Sequence, residues 1–217
     1  SVLVNDTLNG VPVTPATVTL TPGTSPNAGL TMNPDGTITI APGTPAGSYS
    51  YPYTICETLN PTNCDSAIAT VVVSAAIIDA VDDTVGGVNG ASGATNVVNA
   101  YTANDTLNGQ PITNVATIVG SVVTPATPIN GGPVPTLKAA SGQVDVPAGT
   151  PAGSYTITYQ ICEALNPTNC DTAVITVAVV AAPIDAVDDT MAPVNGATGG
   201  NTPSVLVNDT LNGVPVT

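Results

Sequence analysis

Residues 153 to 180, GSYTITYQICEALNPTNCDTAVITVAVV, read as a β-hairpin whose register can be tested against its own alternation. If Cys162 pairs with Cys170 across two antiparallel strands, Ile161 stands opposite Asp171, Tyr159 opposite Ala173, Ile157 opposite Ile175 and Tyr155 opposite Val177. From the second pair onward apolar meets apolar, while Gln160 with Thr172 and Thr156 with Thr176 share the other face with the bridge. The disulfide is therefore expected as an outward-facing clamp near the hairpin tip, contributing about 2.5 kcal/mol on the chain-entropy model. The plan recurs 106 positions earlier: Tyr49, Tyr51, Tyr53 and Ile55 on one face, a loop from Cys56 to Cys64, then Ala67, Ala69, Val71 and Val73. Even number and repeated spacing of the 4 cysteines point to two local disulfides and an oxidising, extracellular setting.

Outward from these hairpins, the chain is punctuated by an acidic hexapeptide. Asp79-Ala80-Val81-Asp82-Asp83-Thr84 recurs as Asp185-Ala186-Val187-Asp188-Asp189-Thr190, each copy following a Val/Ala/Thr strand and preceding a Gly/Asn/Ser/Thr/Pro-rich segment. That is the signature of a module boundary. Residues 1–14, SVLVNDTLNGVPVT, reappear unchanged as residues 204–217, so the full period is 203 residues and holds two related halves. The boundaries expected are an opening-deficient domain over 1–78, a complete domain over 79–184 and the opening strands of a third over 185–217. Ser1 starts neither a signal peptide nor a Met-initiated chain, so a mature protein or an excerpt is expected.

Composition fixes the class. Gly and Pro number 21 each, Phe and Trp are absent, and helix formers are scarce, whereas Val, Thr and Ile abound. Val2 to Val4, Ala16 to Leu20, Leu30 to Met32 with Thr37 to Ile40 around Asn33-Pro34-Asp35-Gly36, Val115 to Val119 and Gln143 to Val146 are read as further strands. About seven short strands per hundred residues predict an all-β chain of tandem immunoglobulin-like β-sandwich domains in an extended repeat array.

The net charge of −14 sets 15 acids against Lys138 alone, which excludes a phosphate-neutralising surface and argues against nucleic acid as partner. No apolar run reaches the roughly 18 residues of a membrane helix, so no membrane insertion is expected in this segment. With no His and no Arg, and with Glu57 and Glu163 in the same place in two copies of one loop, no catalytic pair converges and no enzyme is expected. Both Glu residues read as solvated hairpin tips.

The order Ala-x-Asp-Asp-Thr, then Val-Leu-x-Asn-Asp-Thr, then a Tyr-rich strand and a final Val/Thr strand resembles the bacterial immunoglobulin-like and cadherin-like tandem repeats of large surface adhesins. The Cys-Glu-x-Leu-Asn-Pro-Thr-Asn-Cys-Asp hairpin is similar to one common in repetitive secreted proteins of Bacteroidetes. One departure is Thr102-Ala103, which precedes Asn104-Asp105 where the other copies have Leu3-Val4 and Leu206-Val207. The resemblance implies an extracellular, cell-surface filament or stalk. Its partners would be further copies of the repeat, covalently continuous or joined by strand exchange, together with a cell-surface or glycan ligand. Two rival readings are a carbohydrate-binding module array, for which Tyr51 and Tyr53 are the only aromatic candidates, and spacer domains of a larger secreted enzyme.

Three carboxylates within five residues repel one another unless water or a hard cation lies among them. The bland reading is a solvated linker whose Asp and Asn side chains make turns with their own backbone. The cadherin-like resemblance implies instead calcium at the junctions. The expected sets are Asn5 and Asp6 with Asp79, Asp82 and Asp83, and Asn104 and Asp105 with Asp185, Asp188 and Asp189, with Asn208 and Asp209 as the next copy. Seven of the Asp residues precede Ser or Thr and then an apolar residue, which resembles the short O-glycosylation signal of exported Bacteroidetes proteins. Thr7, Ser66, Thr84, Thr106, Thr172, Thr190 and Thr210 are the acceptors so marked. The Asn-Asp-Thr copies also satisfy the N-glycosylation pattern.

Overall fold

A computed structural model describes residues 1–216, and nearly all of their regular structure is strand. The chain divides into two compact units: Ser1–Ile77 with Cys162–Asn169, and Ile78–Ile161 with the chain from Cys170 onward.

The second unit is a full sandwich. The strands Gly153–Glu163 and Cys170–Val180 lie at the centre of a four-stranded sheet, with Ile118–Thr124 on one side and Asp83–Asn89 on the other. A second sheet orders Ala94–Asn99, Gln143–Val146 and Thr136–Lys138. The apolar alternation expected of the hairpin is present: Tyr155, Ile157, Tyr159 and Ile161 alternate inward, as do Ala173, Ile175, Val177 and Val179, and all are buried. Ala100, Tyr101, Val144 and Val146 complete this core. The Asp83–Asn89 strand runs parallel to Cys170–Val180, with Asp83 opposite Ile175, Thr84 opposite Thr176, Val85 opposite Val177 and, after a bulge, Val88 opposite Val179. It ends where Gly90 donates its N–H to the Val180 carbonyl and accepts from Gly149 N–H. A side chain at Gly90 would run into the Thr150 carbonyl and Val179, so only glycine lets the chain pass this close.

The first unit repeats the plan with fewer strands. Val18–Pro22, Gly47–Glu57 and Cys64–Val73 form its sheet in that order, and Leu30–Met32 pairs with Ile38–Ile40 as the expected hairpin. Cys56 pairs with Cys64, Tyr53 with Ala67, Tyr51 with Ala69 and Tyr49 with Val71, the register expected of the sibling hairpin. Cys56 and Cys64 are joined, Cys162 and Cys170 are also disulfide-bonded, and no free cysteine occurs among the described residues. Among those residues the first unit has no counterpart of the Asp83–Asn89 and Ala94–Asn99 strands.

Three local expectations are corrected, one being Val115–Thr117, which is a 3-10 turn capped by Asn114 ahead of the Ile118–Thr124 strand. Val2–Asn5 is a 3-10 turn rather than a strand, because the Ser1 hydroxyl accepts from Leu3 N–H and caps it. The equivalent Ala100–Ala103 is a single helical turn capped in the same way by Asn99. The two glutamates are not solvated tips. Glu57 accepts from the side chains of Asn60 at 2.8 Å and Asn63 at 2.9 Å, closing the cysteine loop on itself. Glu163 is buried, and its Oε2 accepts from Asn169 Nδ2 at 2.9 Å and Ala76 N–H at 3.1 Å. Burial pushes Glu163 upward, but hydrogen bonds from Asn166, Asn169 and Ala76 outweigh it and hold the carboxyl below its ordinary range.

Candidate functional site

The acidic hexapeptide and the Asn-Asp-Thr-Leu-Asn-Gly motif meet within one module. Asn108-Gly109 takes the left-handed conformation at both residues, the two-residue turn that folds Thr106–Leu107 back on Gln110–Pro111. Thr106 then pairs with Asp79 and Leu107 with Ile78, which lays the hexapeptide beside Asn104 and Asp105. Asn9-Gly10 and Asn212-Gly213 repeat the turn. The Asn-Gly pair announces this hairpin in the sequence, where it went unread.

Asp105 is the centre of the junction. It is 1% exposed, accepts Val81 N–H at 2.8 Å, and its two oxygens lie 2.9 and 3.0 Å from the Tyr159 hydroxyl, which donates to them. The Tyr101 ring tilts against that of Tyr159 with centroids 5.7 Å apart. Asn104 Nδ2 donates to the Asp82 carbonyl, and Asp82 Oδ1 accepts Val174 N–H at 2.8 Å, tying the hexapeptide to the Cys170–Val180 strand. Asp83 is 5% exposed, and its Oδ2 is buried with no hydrogen-bond partner.

The electrostatics follow from that burial. Desolvation first, and then the charge of Asp105, push Asp83 up to about 7; Asp82 adds to the rise and a Tyr159 hydrogen bond opposes it. Asp105 rises to about 6, chiefly through burial with added repulsion from Asp79 and Asp171, against the hydrogen bonds from Val81 and Tyr159. Burial and the Asp105 charge push Tyr101 up to about 12 and Tyr159 higher still.

The same joint appears twice more in part. Asp6 lies 3.1 and 3.0 Å from the Tyr53 hydroxyl, and burial together with that bond pushes Tyr53 up to about 12. Asp209 accepts Val187 N–H at 2.9 Å, and Asn208 Nδ2 reaches the Asp188 carbonyl. The first unit thus holds the tyrosine half, the tail holds the backbone half, and the second unit holds both.

The structure distributes the expected calcium sets differently. Asn104 and Asp105 lie with Asp82 and Asp83 of their own module, not with Asp185, Asp188 and Asp189, because the short Ile78–Asp79 strand folds back onto Thr106–Leu107. Several of the oxygens that a calcium shell of six to eight would draw on are engaged in hydrogen bonds. Asp105 is engaged by Tyr159 and Val81, Asp82 Oδ1 by Val174, and Asp83 Oδ2 is the one buried oxygen left over. Among the described residues no three Asp, Glu or Cys side chains converge as a metal site requires. Asn5, Asp79, Asp185, Asp188 and Asp189 are all exposed.

The other candidate groups are dispersed. Lys138 pairs with Asp145 at 2.8 Å, and Tyr51 and Tyr53 are buried, so neither ring is presented as an exposed aromatic platform. Of the marked hydroxyl residues, Thr7, Ser66, Thr84, Thr172 and Thr190 are exposed, and Thr106 and Thr210 are half-buried. A cleft of about 110 Å³ in the first unit is lined by residues including Thr7, Leu8, Val18, Ile55 and Glu57. No helix among the described residues is long and apolar enough to cross a membrane.

The sheets and this joint define the class: an all-β chain of immunoglobulin-like sandwich modules with a hydrogen-bonded aspartate at each opening. No family model and no curated protein matches the chain. Among solved structures it is similar to extracellular cadherin domains 3–6 of protocadherin gamma B2 (TM-score 0.37, 11% identity, 75% of this chain and 42% of that one). It is likewise similar to the human desmocollin-1 ectodomain (TM-score 0.35, 10% identity, 76% and 33%) and to an endo-fucoidan hydrolase of glycoside hydrolase family 107 (TM-score 0.30, 17% identity, 76% and 24%). The chain spans less than half the length of each. At such scores and identities these likenesses carry no argument, and the fold rests on the sheets themselves.

Proposed function

We propose that this chain is a structural repeat segment of an extracellular adhesive filament or stalk on a bacterial surface, of Bacteroidetes type, with no catalytic role. One observation carries the reading: a single joint, Asp105 held by Val81 and Tyr159, is built again in part at Asp6 and at Asp209, on the two identical 14-residue segments. Function then lies in reach and in the transmission of tension, with successive copies as partners and a cell-surface or glycan ligand contacted elsewhere on the parent protein. Disulfides inside both hairpins favour an oxidising exterior.

The test uses protein taken from the native cell surface. On a denaturing, reducing gel the array is expected as a species many times larger than the 21.2 kDa of this chain. In the same material, peptide masses are expected to show hexose-containing O-glycans on some of Thr7, Ser66, Thr84, Thr106, Thr172, Thr190 and Thr210. Material confined to the cytoplasm would overturn the surface reading, and bare peptides at all of these positions would overturn the glycan assignment.

Calcium is not part of this reading. Millimolar calcium is expected to leave the melting temperature of the second unit unchanged in a thermal scan, and a rise of several degrees would show that oxygen ligands assemble after all.

A further inference from the structure

One border of the second unit is the strand Ile118–Thr124, which pairs with Gly153–Glu163 and with no other strand among the described residues. Its side chains alternate. Ile118 is buried, a side chain at Gly120 would run into the Tyr101 ring, and Val122 lines a cleft of about 150 Å³ together with Ile157. On the opposite face Val119 and Val123 are 57% and 54% exposed, and Ser121 between them is exposed as well. Two β-branched apolar side chains thus stand on the free border of a sheet, an arrangement open to a further strand.

The matching border of the first unit is blunted. With an offset of 100, Thr19, Pro22 and Gly23 stand where the second unit has Val119, Val122 and Val123. In the first unit Thr58 N–H donates to the Thr17 carbonyl and Gly23 N–H to the Pro52 carbonyl, so odd-numbered positions bond into the sheet and even-numbered ones face its free border. Pro22 sits at one of the latter and has no N–H to offer an added strand. By the same alternation Gly120 and Val122 turn their backbone groups outward, and no proline stands between Ile112 and Thr124. Charge does not guard this border either, since from Thr106 to Leu137 the sequence holds no Asp, Glu, Lys or Arg. In a chain of net charge −14 it is a surface on which a second copy meets no like charge.

We infer that the Ile118–Thr124 edge is a self-association surface, paired antiparallel with the same strand of a second copy about a two-fold axis at Ser121. The sequence selects both partner and register. About Ser121 the strand is self-complementary: Val119 falls opposite the second copy's Val123, and Gly120 opposite its Val122. Two outward apolar pairs then flank a central Ser121–Ser121 pair, while the outward-turned backbone groups of Gly120 and Val122 bond across the axis. A slip of two positions either way would set a valine against Ser121. The contact uses the same patch on both copies, so it closes at a dimer. The inference goes beyond the stalk reading and does not rest on it. Within the proposed array it adds sideways contact between stalks, each pairing short and weak alone but multiplied by repetition.

The test uses the full 217-residue chain. With Ser121→Cys, mild oxidation is expected to give one covalent dimer on a non-reducing gel, its link mapping to position 121 in both copies. Directly opposed residues of a non-hydrogen-bonded antiparallel pair stand about 4.5 Å apart, within disulfide reach. Sedimentation of the unmodified chain is expected to show a monomer–dimer equilibrium. Val122→Pro installs the residue that the first unit carries at Pro22 with its own sheet intact, and is expected to weaken dimerisation by roughly tenfold or more. Val123→Glu, at an exposed position, is the second variant and is expected to act in the same direction by placing a charge in the apolar pair. A chain that stays monomeric and yields no cross-link would overturn the proposal. So would a dimer that both variants leave intact, or sedimenting species larger than a dimer, which need a head-to-tail surface. The array reading is tested separately, by the size of the cell-surface polypeptide.

Discussion

Raising the pH from 5 to 8 is expected to lower the melting temperature of the second unit by about 10 °C, and Asp83→Asn to remove most of that fall. Asp83 sits at about 7 and Asp105 at about 6 in the folded unit, against 3.8 for an unburied aspartate. Between those limits the folded state binds more protons than the unfolded chain, so stability falls as pH rises. The contribution is fully present below about pH 4, is lost as pH climbs through 6 and 7, and is flat above. At one pK unit per 1.36 kcal/mol the raised Asp83 corresponds to about 2–4 kcal/mol, discounted for relaxation of so tightly coupled a pair. The groups facing it are Asp105, Asp82, Tyr159 and, against that ring, Tyr101. Asparagine at 83 carries no charge to desolvate, whereas Asp105→Asn would give up one of the oxygens that hold Val81 and Tyr159. The two substitutions should therefore move stability at pH 8 in opposite directions. A melting temperature that is level from pH 5 to 8 would contradict this account.

Ile175→Ala is expected to cost the second unit about 2–5 kcal/mol in urea denaturation, while Ala69→Ile at the matching position of the first unit changes stability by less than about 1 kcal/mol. Ile175 is 0% exposed and lies opposite Asp83 in the parallel ladder, with the sandwich core beneath it. Removing its side chain leaves a cavity between two sheets whose strands are fixed by their own hydrogen bonds and cannot collapse to fill it. Ala69 packs only half-buried against the small core of Leu30, Met32, Tyr51 and Tyr53, where a larger side chain has room to be accommodated toward the uncovered edge. Equal responses at the two positions would mean that the first unit is as well sealed as the second, contrary to its half-buried Tyr49, Val71 and Val73.

How much of this was legible depended on range. The hairpins were readable because alternation, cysteine spacing and Tyr placement all chose one register, which the Cys56–Cys64 ladder shows pair by pair. The domain plan was readable because it is written twice. Val2 to Val4 misled because β-branched residues favour strands on average, yet a four-residue turn is settled by its cap, and Ser1 provides one. The acidic clusters misled for a different reason. Aspartate in a Gly/Asn-rich stretch reads as solvated, or as a ligand, and nothing local reveals that Asp105 is sealed beneath two tyrosine rings 54 positions or fewer away along the chain. Glu163 was hidden in the same way, since its burial comes from Ala76, 87 residues earlier.

The parallel pairing of Asp83–Asn89 with Cys170–Val180 sets how a module answers a pull. In the proposed array a pull would enter at the start of the opening strand, near Asp83, and leave at the finish of the closing strand, near Val180, and these points lie at opposite ends of the shared ladder. The backbone bonds between the two strands are then loaded together in shear, where an antiparallel pair pulled from one end would peel open bond by bond. Under such a load rupture would have to break the ladder as a whole, so the module would act as a link that holds until it fails abruptly rather than one that pays out slack.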